Sequence, residues 1–199
     1  MKWSVICYMV RHNIFDKNEI VKYLHYLDDS LLEECKIEIC GSSIMLLNDY
    51  VFTATRDVDF VRYPGPIVIS SLQKILSENN NNNQLFFDTQ APSVVCLLED
   101  YEDRLIEFKD NFKFLRVYLL SIEDWIVTQL ESKKFERLLE YTDCLTKERL
   151  QFIEDNMHLY CGLKPDYAKQ SLKLLWEVVR NVGSDKIKKL NLFDDKPKK

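Results

Sequence analysis

The pattern of apolar and polar positions changes near residue 120 of this chain. Before that point, segments with the period of a helix alternate with short apolar runs of the kind that form strands. Residues 16–34 place Ile20, Leu24 and Leu27 on one side of a helix, because positions three or four residues apart share a helical face. This alternation is typical of an α/β (α+β) protein, so we expect a sheet with helices packed against it.

The ends of these segments carry local signals. Asp16 precedes the first helical segment and Glu19 follows three residues later, which is the pattern of a capping box. The run Pro64-Gly65-Pro66 ends the second strand, because neither residue type continues one. In chain order, we predict strands at 36–40, 57–62, 85–88, 103–108 and 114–119, and helices at 43–50 and 67–78.

Beyond residue 120 the chain contains helical patterns with no strand between them. Ser121, with Asp124 three residues later, has the pattern that starts the first of these helices. Consecutive helices with apolar faces are expected to pack as a bundle. The sequence therefore predicts two domains, a sheet domain at residues 1–120 and a helical bundle at residues 121–199.

The overall charge limits the partners that the chain can attract. Its 199 residues carry a net charge of −5, so there is no general attraction to nucleic acid. An RNA partner would need a local basic face, which Lys133 and Lys134 with Arg137, or the lysine-rich end of the chain, could supply. No segment approaches the ~20 consecutive apolar residues that cross a bilayer, so we expect no membrane partner.

The cysteines indicate a reducing compartment. They form no C-x-x-C pair, and the first residues do not have the pattern of a signal peptide. Scattered cysteines of this kind are expected to be reduced and mostly buried thiols in the cytoplasm, and a zinc site is not expected. The six cysteines are Cys7, Cys35, Cys40, Cys96, Cys144 and Cys161.

Candidate chemistry is concentrated around the second predicted strand. Asp57 and Asp59 are two residues apart, so their side chains share one face of that strand. Two neighbouring carboxylates repel each other, and a cation between them offsets that repulsion. Gly41-Ser42 follows the first strand and precedes a helix, where free backbone N–H groups suit a phosphate. Together these residues predict a divalent metal and a nucleoside triphosphate at one edge of the sheet.

A third carboxylate would complete a site for two metal ions. The candidate is Glu107, which has apolar neighbours in the segment RLIEF, where burial of a lone carboxylate is costly. Glu102 and Asp103 are weaker candidates because they lie nearer the start of that strand. Alternatives remain, since Asp-x-Asp is common in exposed strands and Glu107 can equally form a salt bridge on an edge strand.

These residues resemble the signature of the nucleotidyltransferase superfamily, an apolar strand with Gly-Gly or Gly-Ser followed later by Asp-apolar-Asp/Glu-apolar. Here Gly41-Ser42 is separated by fourteen residues from Asp57-Val58-Asp59-Phe60. The gap length and Thr55 are similar to the AbiEii-type family of abortive-infection and toxin–antitoxin systems. The resemblance covers roughly residues 37–145. It implies a nucleotidyltransferase-like mixed sheet flanked by helices and followed by a helical region.

The later motifs of that family match less closely. The family has a helix that begins with Glu-Asp-Leu and carries a lysine expected to touch the nucleotide phosphates. Here Glu123-Asp124-Trp125 begins the helix and Gln129 stands where the lysine is expected. Lys133 or Lys134, one turn further on, would replace the missing charge. Thr53 stands where related chains often have arginine. These departures leave three readings: an active enzyme with altered phosphate contacts, an enzyme with an unusual substrate, or an inactive relative.

The resemblance implies a metal-dependent nucleotidyltransferase that moves a nucleoside monophosphate from an NTP to a hydroxyl group, with Mg²⁺ or Mn²⁺ as cofactor. The acceptor would be an RNA end such as that of tRNA, a protein or a small molecule, and such a toxin would have an antitoxin partner. The alternative is a catalytically inactive interaction protein with the same fold. The expected catalytic residues and metal ligands are Asp57, Asp59 and Glu107, and the expected nucleotide-binding residues are Gly41, Ser42, Thr55 and Lys133.

Overall fold

The chain forms two compact units. A computed structural model describes residues 15–50, 55–78, 85–88, 97–131, 138–139, 141–160 and 165–181. The first unit, called the sheet unit, comprises Met1–Pro92 and Glu107–Leu119. The second, called the helical unit, comprises Ser93–Ile106 and Leu120–Lys199.

A mixed five-stranded sheet is the framework of the described part of the sheet unit. The strands are β1 (Cys35–Cys40), β2 (Asp57–Phe60), β3 (Phe86–Asp88), β4 (Ile106–Phe108) and β5 (Leu115–Leu119). Their order is β3-β2-β1-β5-β4. β1 is antiparallel to β2 and parallel to β5, while β3 is parallel to β2. The predicted α/β class with a mixed sheet is confirmed.

Three helices accompany this sheet in the described residues. They are α1 (Lys17–Ser30), α2 (Ser43–Leu47) and α3 (Pro66–Glu78). The predicted capping box starts α1: Glu19 N–H donates to the Asp16 carboxylate at 2.9 Å, and Asp16 N–H donates to the Glu19 carboxylate at 3.0 Å. These bonds satisfy backbone donors that the first turn of a helix leaves without partners.

The two faces of the sheet differ because side chains alternate along each strand. One face is apolar and buried, and α1 packs against β5, α2 and α3. Each fully buried aliphatic side chain contributes about 1.5–3 kcal/mol to folding. The apolar face is formed by Ile37, Ile39, Val58, Phe60, Phe87, Leu115, Val117 and Leu119. The opposite, polar face is formed by the alternate residues, which include Glu38, Cys40, Asp57 and Asp59.

A buried carboxylate joins α1 to the start of β5. Backbone N–H groups of Lys113, Phe114 and Leu115 donate to the Asp28 carboxylate at 2.8, 2.7 and 2.6 Å. Burial alone would raise the pKa of Asp28, but these three hydrogen bonds together lower it by more. The pKa of Asp28 therefore lies below its usual value. The ionised carboxylate therefore stabilises this junction.

The helical unit is built from α4 (Ile122–Glu131), α5 (Lys147–Asn156) and α6 (Pro165–Asn181), with 3₁₀ turns at Tyr101–Arg104, Thr142–Cys144 and Met157–Leu159. α5 packs against both α4 and α6. Within the described ranges, the chain after residue 120 contains helices and no strand, as its periodicity predicts. The core includes the fully buried side chains of Trp125, Ile126, Leu130, Leu150, Ile153 and Leu175.

A second buried carboxylate organises the helical unit. Asp124 is completely buried, and Arg104 donates to it from Nε at 3.2 Å and from a terminal nitrogen at 3.0 Å. The hydroxyl groups of Ser121 and Tyr160 donate to the same carboxylate at 2.7 and 3.1 Å. Burial and the nearby Asp124 charge raise the pKa of Tyr160, which keeps its hydroxyl protonated as a donor. Asp124 thus links α4 to two segments distant in sequence.

Several predicted elements are shorter in the structure. The helix predicted at 43–50 ends at Leu47, because Asp49 has a φ of 61°, outside the helical region. The strand predicted at 103–108 begins only at Ile106, because Tyr101–Arg104 forms a 3₁₀ turn.

Two observations bear on the predicted compartment. Cys35, Cys40 and Cys144 are free thiols, and burial raises the pKa of Cys144 to about 12. The other three cysteines lie outside the described residues. Among the described helices, none is both long and apolar enough to cross a bilayer.

Candidate active site

The turn after β1 lies directly against β2. Gly41 has a φ of +70°, in the left-handed region that glycine adopts without steric cost. A Cβ atom at this position would overlap the Asp59 carboxylate and would lie 2.8 Å from its Cγ. The hydroxyl of Ser43 donates to the carbonyl of Cys40 at 2.9 Å and holds the turn. Gly41 is therefore required for the close approach of Asp59 to the end of β1.

β2 and β3 bring three carboxylates to the polar face. Asp57 and Asp59 are half-buried and alternate with fully buried apolar residues. Asp59 is paired with Cys40 on one side and with Asp88 of β3 on the other. Paired residues on neighbouring strands, about 4.8 Å apart, point to the same face of a sheet. We call Asp57, Asp59 and Asp88 the aspartate cluster.

The Cys40 thiol lies beside the aspartate cluster, and the charge of the cluster affects the pKa of this thiol. Burial, followed by the charges of Asp59, Asp88 and Asp57, raises the pKa of Cys40 well above its usual value. All three carboxylates therefore lie close enough to act on the same sulfur atom. Cys40 itself is 3% exposed and remains a neutral thiol.

Thr55 joins the glycine turn to the aspartate cluster. Its backbone exchanges hydrogen bonds with Phe15 at 2.7 and 2.9 Å, and its side chain is buried. The Thr55 hydroxyl lies 2.8 Å from the Ser42 hydroxyl, 3.2 Å from the Asp57 carbonyl and 3.4 Å from the Asp57 carboxylate. Thr55 thus fixes the positions of Ser42 and Asp57. Ser42 is more exposed than the buried Thr55.

The structure does not bring Glu107 to the aspartate cluster. β1 and β5 lie between β2 and β4, so three strand spacings of about 4.8 Å separate the two carboxylate positions by roughly 14 Å. The Glu107 side chain is 44% exposed and lies 4.0 Å from the Lys109 ammonium group. Its apolar neighbours suggested burial, but β4 is an edge strand on which Ile106 is also exposed. Glu102 and Asp103 belong to the helical unit.

Asp88 is the acidic residue that the sequence analysis missed. It ends a strand that was predicted at 85–88, and the three residues before it are apolar. The sequence signal that could have identified Asp88 is a carboxylate directly after an apolar run. Its significance depends on β3 being the neighbour of β2, which the strand order decides.

The predicted phosphate contacts have different outcomes. Lys133, together with Lys134 and Arg137, lies outside the described residues. Gln129, which stands at the expected lysine position, is buried in α4 and its amide nitrogen donates to the Thr128 hydroxyl at 3.2 Å. Its side-chain oxygen has no hydrogen-bond partner in the described part of the chain. This position therefore supplies no positive charge.

The donor set of the aspartate cluster fits a hard divalent cation. Mg²⁺ is usually bound by one or two carboxylates, with water and substrate phosphate completing its coordination. Carboxylates are also suitable ligands for Mn²⁺. The ligand types therefore suit Mg²⁺ or Mn²⁺, but among the described residues no group of three or more His, Cys, Asp or Glu side chains is placed to hold a metal ion.

Comparison with known proteins identifies the family. A family model described as a nucleotidyltransferase of unknown function (DUF6036) matches residues 18–179. The match spans the sheet, the aspartate cluster and the described helices that follow. No curated protein and no solved structure matches the chain significantly. The chain belongs to this family of nucleotidyltransferases.

Proposed function

We propose that this member of the nucleotidyltransferase family transfers a nucleoside monophosphate from an NTP to a hydroxyl acceptor in a reaction that depends on Mg²⁺ or Mn²⁺. The observation that carries the proposal is the position of Asp59, which lies against Gly41 and is paired with Asp88. Carboxylates beside a close-approach turn can hold a metal and admit a triphosphate at the same place.

Each residue of the site has a proposed role. Asp57 and Asp59 would hold the cation, which would neutralise charge on the phosphate oxygens during transfer. Gly41 would admit the triphosphate to the polar face, and the half-exposed Ser42 would donate its hydroxyl to a phosphate oxygen. Thr55 would position both Ser42 and Asp57. Asp88 replaces Glu107 as the proposed third carboxylate.

The proposed reaction is a single displacement at the α-phosphorus. The acceptor oxygen forms a bond to this phosphorus, the bond from phosphorus to the bridging oxygen of the β-phosphate breaks, and pyrophosphate leaves. The carboxylate of Asp88 accepts the proton of the acceptor hydroxyl. The protein contributes chiefly position and charge, which is sufficient for this class of transfer.

The finer resemblance to AbiEii-type proteins supplies the biological part of the proposal. It supports an RNA end such as that of tRNA, a protein or a small molecule as the acceptor, a toxin as the biological role, and an antitoxin as a partner. The buried free thiols of Cys40 and Cys144 support a reducing compartment such as the cytoplasm.

Label transfer tests the catalytic proposal. The protein would be incubated with each α-³²P-labelled NTP, Mg²⁺ or Mn²⁺, and total RNA, total protein or a small-molecule extract. We expect metal-dependent label in one fraction, its loss in Asp57→Asn, and full transfer by the control Asp29→Asn, which changes an exposed aspartate of α1. Transfer by Asp57→Asn at the native rate would overturn the proposal.

The second candidate function is an NTP-binding interaction protein without transferase activity. The observation that favours it is the buried, neutral Gln129 at the expected lysine position. Thermal unfolding with each NTP and Mg²⁺ tests whether the protein binds nucleotide, which both candidate functions require. A ligand at ~100 times its dissociation constant adds about 2.7 kcal/mol to stability. Stabilisation that Asp57→Asn removes, without label transfer to any acceptor, would favour the interaction protein.

A further inference from the structure

A large groove lies within the helical unit, between α6 and the end of α5. Its volume is about 810 Å³, which is in the range of pockets that hold small ligands or parts of larger ones. Leu172 and Met157 form an apolar floor, since both line the groove and are buried. The groove therefore combines a preformed shape with an apolar base.

One face of α6 places three cations and an indole along this groove. Lys169, Lys173, Trp176 and Arg180 all line it, and their spacing of four, three and four residues puts them on the same side of a helix. Lys169, Lys173 and Arg180 are exposed. With a rise of 1.5 Å per residue, the stripe is roughly 16 Å long. The stripe forms no continuous basic run in the sequence, because its cations are four and seven residues apart.

The indole of Trp176 is held in a defined orientation. Its Nε1–H donates to the Glu154 carboxylate at 3.1 Å, and the Arg180 guanidinium lies 5.9 Å from the ring centre. The side chain is only partly buried. A fixed, partly exposed aromatic ring beside cations is the arrangement on which nucleic-acid bases stack.

The charge of the groove contrasts with that of the whole chain. The groove is lined by Lys169, Lys173 and Arg180 against Glu154 and Glu177. One of the two carboxylates accepts the Trp176 hydrogen bond. A locally positive groove in a chain of net charge −5 favours an anionic ligand at this place.

We propose that this groove binds single-stranded nucleic acid. An unpaired base would stack on Trp176, and the backbone phosphates would contact Lys169 and Lys173. Bases in a duplex are already stacked on each other, so the fixed indole favours an unpaired strand. The proposal does not depend on the transferase activity, because it uses residues of the helical unit alone.

Fluorescence anisotropy tests binding without nucleotide or divalent metal. Fluorescein-labelled 12-mers of RNA and of DNA with one unstructured sequence would be titrated with the native protein and with Asp57→Asn at several salt concentrations. We expect both proteins to bind equally and binding to weaken as salt rises. If the protein prefers the RNA or the DNA 12-mer, the sugar of the preferred 12-mer contributes to binding. No binding of either 12-mer at low salt would overturn the proposal, whatever the transferase assay gives.

Matched variants locate the binding. Trp176→Ala should weaken binding by roughly 5- to 100-fold while Trp176→Phe retains most of it, because stacking needs an aromatic ring. Lys169→Glu with Lys173→Glu should abolish binding, whereas Lys22→Glu with Lys74→Glu, the same charge change on exposed lysines of the sheet unit, should largely retain it. Circular dichroism would establish that each variant is folded.

A polyglutamate competitor separates nucleic acid from an acidic protein partner. We expect little competition, because polyglutamate has no base to stack. The proposal would be wrong if polyglutamate competes as strongly as an unlabelled 12-mer, or if Trp176→Ala binds the 12-mers as tightly as the native protein. The groove would then be a general surface for acidic proteins.

Discussion

Asp124 in the helical unit and Asp59 in the sheet unit are both fixed by the fold, but their surroundings are opposite. Asp124 is completely buried and receives hydrogen bonds from Arg104, Ser121 and Tyr160. Asp59 is half-buried beside Asp57 and Asp88, so its close neighbours include two further negative charges.

In our proposal, this difference separates a structural carboxylate, Asp124, from a catalytic one, Asp59. The chain itself supplies a cation and two hydroxyl donors to Asp124, which stabilises its charge. The aspartate cluster concentrates like charges, and a cation from outside the chain would offset their repulsion. Clusters of like-charged groups are typical of functional sites. The comparison can be tested by neutralising one carboxylate in each place.

The largest expected effect is on catalysis. Asp59→Asn should lower nucleotidyl transfer by roughly 10⁴- to 10⁶-fold, as for catalytic residues that act as a unit. It should leave the free energy of unfolding unchanged or higher, because repulsion with Asp57 and Asp88 falls. Label transfer and urea unfolding measure the two effects. A large loss of stability would show that Asp59 is structural, like Asp124.

Asp124→Asn should have the opposite profile. Its free energy of unfolding should fall by about 3 kcal/mol, because the partly buried Arg104 guanidinium loses its completely buried carboxylate partner while it retains the exposed Asp100. Urea unfolding provides the measurement, with Asp143→Asn at an exposed position as the control. A change below about 1 kcal/mol, the range of surface ion pairs, would remove the distinction between the two carboxylates.

Gly41→Ala tests the close approach of the turn to Asp59. The added Cβ would displace the carboxylate, and a displacement of about 1 Å can lower a rate by roughly 10²-fold. Gly65→Ala is the matched control, since Gly65 also has a positive φ, of +88°, but a Cβ there would meet nothing within 4 Å. If the two substitutions lower transfer equally, the positive φ of the glycine matters for activity and the overlap of the added Cβ with Asp59 does not.

Asp88→Asn and Glu107→Gln distinguish the two candidates for the third carboxylate. We expect transfer to fall by roughly 10²-fold or more in the first variant, the contribution typical of a general base. It should be unchanged in the second, because β1 and β5 separate Glu107 from the cluster. The reverse result in the label-transfer assay would restore Glu107 as the third carboxylate.

The smallest expected effect is a pH dependence at Asp28. Its pKa is lower in the folded protein than in the unfolded chain, so its contribution to stability is present above the unfolded pKa and is lost as pH falls through the folded value. The difference in unfolding free energy between native protein and Asp28→Asn should therefore decrease towards acidic pH. A difference that is constant from pH 7 to strongly acidic pH would contradict this prediction.

Much of the local structure could be predicted from the sequence. The capping box of Asp16 and Glu19, the alternation that puts Asp57 and Asp59 on one face, and the helical periodicity after residue 120 depend on neighbouring residues. The bounds of short elements were less accurate, because the conformation of a single residue, such as the positive φ of Asp49 after α2, can end an element.

The sequence by itself determined the element types, the glycine turn at Gly41 and the aspartate pair of β2, because backbone geometry fixes helical and strand periods over a few residues. The tertiary structure decided that Asp88 joins this pair, that Glu107 lies two strands beyond β1, and that Thr55 connects the turn to Asp57. Those facts depend on strand order, and strand order is set by packing between residues distant in sequence, which no local pattern encodes.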